Sequence, residues 1–211
     1  MSHYLTGNET RARLLEAAAE VFAEHGFSHA KVQDICQRAQ ANLAAINYHF
    51  GGKEQLYQAV IHYALEADEA LLPSLAAGAS SSPEERFRQF VKGFLFGMLS
   101  PGRPAWHGKL MMHEGANPTA ALDLVIEHLV RPIHNLLYAI IGDLLGVNAD
   151  PDHVAFLTTS VMSQCATYHH SMEFVVRMNP SQRFDPAALE QLADRIARFS
   201  LAGIRHYAAI E

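Results

Sequence analysis

Apolar side chains recur at helical spacing along almost the whole chain, and no run of alternating β-branched residues is bounded by hairpin turns. The pattern predicts an all-α fold. Leu14, Leu15, Ala18, Val21 and Phe22 form one stripe of a first helix that begins near Thr6–Asn8, where Thr6 and Glu9 have capping-box spacing, and ends at Gly26. A short second helix covers Val32 to Ala39, and a turn at 40–42 leads to a third. There Asn42 is the expected N-cap, Ile46 and Phe50 point inward, and Leu43, Ala44, Ala45, Asn47 and Tyr48 stay outside. The glycines at 51 and 52 break that helix, and a longer one is expected from Lys53 to Leu72.

The breaker-rich stretch "PSLAAGASSSP", 73–83, reads as a mobile connection. Beyond it, helices are expected over 83–99, 106–114, 118–145, 151–177 and 186–207. Asn117-Pro118, Asp150-Pro151 and Asp185-Pro186 mark three of the starts. Pro132 falls inside the 118–145 pattern and should kink it near Arg131.

Composition changes this picture little. The chain has 211 residues, 49% hydrophobic and 18% charged, an ordinary balance for one or two packed cores. With 16 Lys and Arg against 22 Asp and Glu the net charge is -6, so a DNA-binding face must be local. Cys36 and Cys165 stand far apart without CxxC spacing and read as reduced core thiols. No secretory signal pattern opens the chain, and charge interrupts every long apolar run, so no membrane partner and a cytoplasmic location are expected.

Two short helices joined by a three-residue turn, with a longer helix before them, make a helix-turn-helix in a three-helix bundle. The segment "TRARLLEAAAEVFAEHGFSHAKVQDICQRAQANLAAINYHFGGKEQLY" resembles the N-terminal DNA-binding region of TetR-family regulators, above all in "AEHGF", "DI", "INYHF" and "KEQLY". The stretches "WHGKLMMHEGANPTAALDLVIEHLVRPI" and "SQCATYHH" resemble the C-terminal domain of the branch named for cephalosporin and chloramphenicol sensitivity regulators. The resemblance implies a DNA-binding domain over 1–60 and a ligand-binding and dimerisation domain over 61–211. It departs from the family where a turn glycine is replaced by Gln40 and the hydroxyl residues opening the second helix by Ala30 and Lys31.

Asn47 offers a bidentate pair to adenine, and Leu43, Ala44 and Ala45 suit a thymine methyl, so a half-site with A·T pairs is expected. By the family pattern Tyr48, His49 and Lys53 contact phosphates, with Lys31, Gln33 and Asn42 close by. The alternative for Tyr48 and His49 is packing against the first and fourth helices. So few basic residues imply two copies on double-stranded operator DNA, hence a homodimer. The resemblance places its interface on the last two long helices, with candidates Val154, Leu157, Val161, Leu189, Ile196, Phe199 and Ile204; their alternative is the intrachain core. Phe94, Met98, Trp106, Met111, Met112, His134, Tyr138, Tyr168 and His169 are candidates to line a pocket for a small apolar or amphipathic effector. Relatives of this branch often control drug-efflux genes, a role that the resemblance suggests and no residue here shows.

The residues leave other functions open. An enzyme has no support from HExxH, GxSxG or a complete phosphate-binding loop, and no cofactor or catalytic residue is expected. A metal-responsive regulator could use His107, His113, Glu114, His169 and His170. A helical adaptor that no longer binds DNA would account for Gln40 and Ala30.

Overall fold

The computed structural model describes residues 7–68, 71–76, 81–99 and 104–208, and among these it contains helices and no strand. Two compact units share the chain: one comprises 1–68 and 103–129, the other 69–102 and 130–211. The first unit therefore takes in a second segment of chain beyond residues 1–60.

In the first unit α1 (Gly7–His29), α2 (Val32–Arg38), α3 (Leu43–Phe50) and α4 (Lys53–Glu66) are joined by α7 (Ala105–Ala116) and α8 (Leu122–Val125). Thr6, the expected cap, lies outside the described residues. Leu14, Ala18, Val21 and Phe22 face the core as their spacing requires, and Ile35, Ile46, Leu56, Ile61 and Leu110 complete it. Gly26 has φ 69° and ψ 167°, so helical backbone stops there although the helical segment continues to His29. A side chain at Gly26 would also meet the His113 ring of α7, whose Nδ1 is 3.2 Å from the position of a Cβ.

The α2–α3 turn closes as a Schellman motif. Ala41 N–H donates to Cys36 O at 2.9 Å and Gln40 N–H to Gln37 O at 3.2 Å, with Gln40 left-handed at φ 49°. The expected helix from Lys53 to Leu72 is instead divided. α4 ends at Glu66, Asp68 N–H turns back to Leu65 O at 2.9 Å, and the Asp68 side chain is buried beside His107.

The second unit contains α5 (Leu71–Ala76), α6 (Pro83–Leu99), α9 (Arg131–Leu145), α10 (Pro151–His170), α11 (Met172–Met178) and α12 (Pro186–Ala208). Part of the expected mobile connection is helix: α5 lays the i, i+4 pair Leu71 and Leu75 into the space left by Gly97 and Gly93 of α6. A Cβ at Gly93 would lie 2.8 Å from Leu75 Cδ2, and one at Gly97 2.5 Å from Leu71 Cδ1. Residues 77–80 of that stretch lie outside the described residues. Phe87, Phe90, Ile133, Leu137, Ile141, Val161 and Leu201 fill the core. Ion pairs across its helices include Arg86 with Asp143 at 2.6 Å and Lys92 with Glu190 at 2.6 Å.

Proline marks helix starts as expected at Pro151 and Pro186, with Asp150 and Asp185 accepting from the N–H groups of Asp152 and Ala188. Pro118 does not start a helix. Thr119 is drawn to Glu114, and α8 begins only at Leu122. The disturbance expected at Pro132 takes the form of a π-helical turn over Ile126–Val130, which absorbs the hydrogen bond that proline cannot donate. Likewise the expected helix 151–177 breaks at Ser171. Leu122–Leu145 is long and apolar enough to cross a membrane, but Ile133, Leu137, Ile140 and Ile141 in it are buried in the second unit's core.

Candidate nucleic-acid interface

Helix α3 is held at both ends by its own sequence. Asn42 Oδ1 accepts from Ala45 N–H at 2.9 Å, and left-handed Gly51 at φ 89° closes the other end with N–H donating to Asn47 O. Ile46 is buried and Phe50 half-buried, so the opposite face is presented outward. Leu43 and Asn47 form one ridge of that face, and Ala44 and Tyr48 the next. All four are exposed, Leu43 by 54% and Tyr48 by 84%. That exposure removes the packing alternative for Tyr48.

One expected base-reading residue, Ala45, and one expected phosphate contact, His49, are placed differently. Ala45 is half-buried against the core of the unit, because it follows Asn42 by three residues and turns inward beside Ile46. His49 is also half-buried. Its Cε1 would be 3.8 Å from a Cβ on Gly7, and its ring meets those of Tyr48 at 4.9 Å and Phe50 at 6.4 Å. Packing against α1 therefore holds for His49.

The flanking groups differ in exposure and in partners. Lys31 is the exposed N-cap residue of α2 and makes no side-chain capping bond; Gln33 is exposed two residues on. Ala30 is buried, so the departure from a hydroxyl there serves the core. Lys53 opens α4 with its Nζ 4.7 Å from the Phe27 ring centroid, and burial lowers its pKa. Arg11 went unnoticed in the sequence. Its Cζ lies 5.2 Å from the Phe50 ring centroid, and the signal was its place on α1's exposed face, one turn after Gly7. Arg38, by contrast, is occupied in a fork on Glu24, with both contacts at 2.9 Å and Glu20 at 3.1 Å. From Ile35 to Gly52 there is no acidic residue, so α3 itself carries no negative side chain; exposed Asp34 and Glu54 flank that stretch.

Behind this face lies a buried polar group. Tyr57 O–H donates to Glu114 Oε2 at 2.6 Å, and Glu114 Oε1 accepts from Thr119 N–H at 2.8 Å and Oγ1 at 3.0 Å. Burial, then the bond to Glu114, pushes the Tyr57 phenol far above its usual range, so it remains a donor. The Tyr57 ring packs edge-on to Phe22 at 4.8 Å and against Phe27 at 5.0 Å.

The other expected sites divide. Trp106, Met111 and Met112 belong to the first unit, whereas Phe94, Met98, His134, Tyr138, Tyr168 and His169 belong to the second. Trp106 and Met111 are part of the first unit's core, with the Trp106 indole donating to Glu16 at 3.2 Å, and Met112 is exposed. Tyr138 borders a surface recess with Gly142, Asp143, Val147 and Val154. Of the interface candidates, Val154, Leu157, Val161, Leu189, Ile196 and Ile204 are buried within the single chain, because α10 and α12 turn these faces to α6 and α9. Phe199 alone among them is exposed, by 73%. Phe156, exposed by 56% and near Tyr207, was missed because its neighbours Val154 and Leu157 drew the stripe inward. Among the described residues no group of three or more His, Cys, Asp or Glu is placed to hold a metal ion.

Residues 14–60 match the family described as bacterial regulatory proteins, tetR family, and residues 83–204 match the C-terminal domain of the HTH-type transcriptional dual regulator CecR. The chain belongs to the TetR family, in the branch with the CecR C-terminal domain. TetR-family proteins are transcriptional regulators and not enzymes, and they bind operator DNA. The chain is 25% identical over 195 residues to CecR of Shigella flexneri, covering 88% of this chain and 87% of that protein. It is 42% identical over 87 residues to the regulator UidR of Escherichia coli strain K12, covering 41% of this chain and 37% of UidR. HlyIIR, a hemolysin II transcriptional regulator, superposes with a TM-score of 0.64 at 20% identity, covering 92% and 98% of the two chains. The TetR-family regulator PfmR of Thermus thermophilus gives 0.63 at 22% identity, covering 90% and 95%. These two show a shared fold.

Proposed function

We propose that this TetR-family regulator is a homodimeric repressor that reads an A·T-containing operator half-site with α3 and leaves it when a small apolar or amphipathic molecule binds the second unit. The observation that carries the DNA-reading step is the outward face Leu43, Ala44, Asn47 and Tyr48 on a helix capped at both ends. Asn47 pairs with adenine, Leu43 and Ala44 meet thymine methyls, and Tyr48, Lys31, Gln33, Lys53 and Arg11 hold phosphates. Binding at two half-sites about 34 Å apart supplies the affinity that one lightly charged unit lacks. Phe156 and Phe199 support a dimer face on α10 and α12. Phe94, Met98, His134, Tyr138, Tyr168 and His169 are the remaining effector candidates. The effector acts by binding one arrangement more tightly than the other. As a DNA-binding regulator the protein works in the cytoplasm, and control of efflux genes rests on the branch resemblance alone. A metal-responsive reading is not favoured, since the His residues form no ligand set among the described residues.

Fluorescence anisotropy with the DNA upstream of the protein's own gene, backed by selection from a random pool, tests this. Asn47→Ala should cost about 1–3 kcal/mol and relax sequence preference at one position. Lys53→Ala should weaken binding to all sequences and reduce the salt slope by about 1. Binding no tighter than to random DNA in both experiments would sink the proposal and bring the adaptor reading forward.

A further inference from the structure

Helix α7 touches α4 through two buried polar contacts set one heptad apart. Near its start, His107 Nε2 lies 3.2 Å from Ala64 O and 3.2 Å from Asp68 Oδ2. Seven residues later Glu114 reaches Tyr57, which stands seven residues before Ala64. The two contacts run in opposite directions along the two helices, while α7 itself lies mainly against α1; Leu110, midway between His107 and Glu114 on α7, is fully buried. Apolar contacts with α1 alone would tolerate sliding of α7 along its axis. A slip here would strand the Glu114 and Asp68 carboxylates, exposed by 1% and 4%, away from both donors and water.

Such buried polar pairs are poor sources of net stability compared with apolar residues of the same size, and their best-attested use is to specify register. Glu114 is well placed for that use. It joins α4 through Tyr57 and the 117–121 turn through Thr119, whose Oγ1 in turn accepts from Ala121 N–H at 3.1 Å. Tyr57 packs on Phe27, and Lys53 sits over the same Phe27 ring. Only Gly51 and Gly52 separate α4 from α3.

We propose that Glu114 is a positioning residue for DNA recognition: through the Tyr57 hydroxyl it holds α4, and with it the recognition helix, in one register against α7. The inference rests on the DNA-binding reading above. It makes α7 the element whose displacement would be felt at the operator, and it makes the Tyr57–Glu114 bond the point of transfer.

The test compares Tyr57→Phe, Glu114→Gln and their double with Leu110→Val, a loss of α7 packing that touches no polar contact. Operator affinity is measured on the selected duplex, melting temperature on each protein, and amide hydrogen exchange over 43–50 without DNA. Each polar single should bind five- to tenfold more weakly, on the order expected of a coupling between sites. The double should be no weaker than Glu114→Gln alone, because Tyr57→Phe removes only the Tyr57–Glu114 bond, while Glu114→Gln, left with one acceptor oxygen for Tyr57 and Thr119, already disturbs it. Exchange over 43–50 should quicken in these variants, while Leu110→Val keeps wild-type affinity and exchange despite a lower melting temperature. Wild-type affinity and exchange in Tyr57→Phe and Glu114→Gln would overturn the proposal, as would equal weakening by Leu110→Val. If the wild-type protein binds no duplex better than random DNA, the DNA-binding reading falls, and the exchange data still decide whether Glu114 sets α3.

Discussion

At Gln40 an L-residue occupies the left-handed position that ends a Schellman turn, at φ 49°. Crowding between Cβ and the backbone makes that position unfavourable for anything but glycine, by about 1–2 kcal/mol. Gln40→Gly should therefore stabilise the protein by about 0.5–1 kcal/mol after the entropy of glycine is subtracted, measured by urea unfolding. The Glu24–Arg38 fork is a second residue-scale device. Its hydrogen bond, with Coulomb attraction behind it, holds the Glu24 carboxyl below its ordinary value. A depressed carboxyl stabilises the fold above its unfolded pKa and loses that contribution as pH falls through the folded value. Glu24→Gln should thus melt below wild type at pH 7, and the gap should narrow as pH falls below the ordinary carboxylate range; a gap that does not narrow there would deny the pair its role.

Among elements, α3 was the most legible, since "NLAAINYHFGG" states its cap, its buried Ile46 and its stop. Less legible was whatever depended on a distant partner. Leu75 sits in the breaker-rich stretch and Leu71 just before it, and the two pack as one helical turn where Gly93 and Gly97 leave room for them on α6. Pro118 carried a start signal that Glu114 overrode by taking Thr119. The apolar stripes of α10 and α12 were visible, but periodicity does not say whether a stripe faces its own chain or another copy, and burial assigns six of the seven candidates inward. The Gly93→Ala change should test the α5 seat. It would place a Cβ 2.8 Å from Cδ2 of the buried Leu75, and the expected loss is about 1–3 kcal/mol, as for other overpacked sites, less what replacing a mid-helix glycine returns.

For the whole molecule, the division of the chain matters more than its net charge. Trp106 and Leu110, from the second segment, sit in the same core as Phe22, Ile46 and Leu56. A fragment of residues 1–68 would keep every residue of the helix-turn-helix and lose that part of its core. Its expected state is loosely packed, with helical circular dichroism but no sharp thermal transition, and its DNA binding should be weaker than that of the full chain. A cooperative, wild-type-like melt of the fragment would show that α7 is dispensable to the unit.

That interleaving also sets an order in time. At synthesis rates of about 5–20 residues per second, the first 68 residues wait several seconds before α7 emerges, and their core cannot close until it does. The 69–102 segment of the other unit waits in turn for partners that begin only at residue 130. Neither unit can fold as a finished piece while the ribosome is still early in the chain. Rare codons or pauses just before residue 105 should therefore lower the yield of soluble protein more than pauses placed after residue 129.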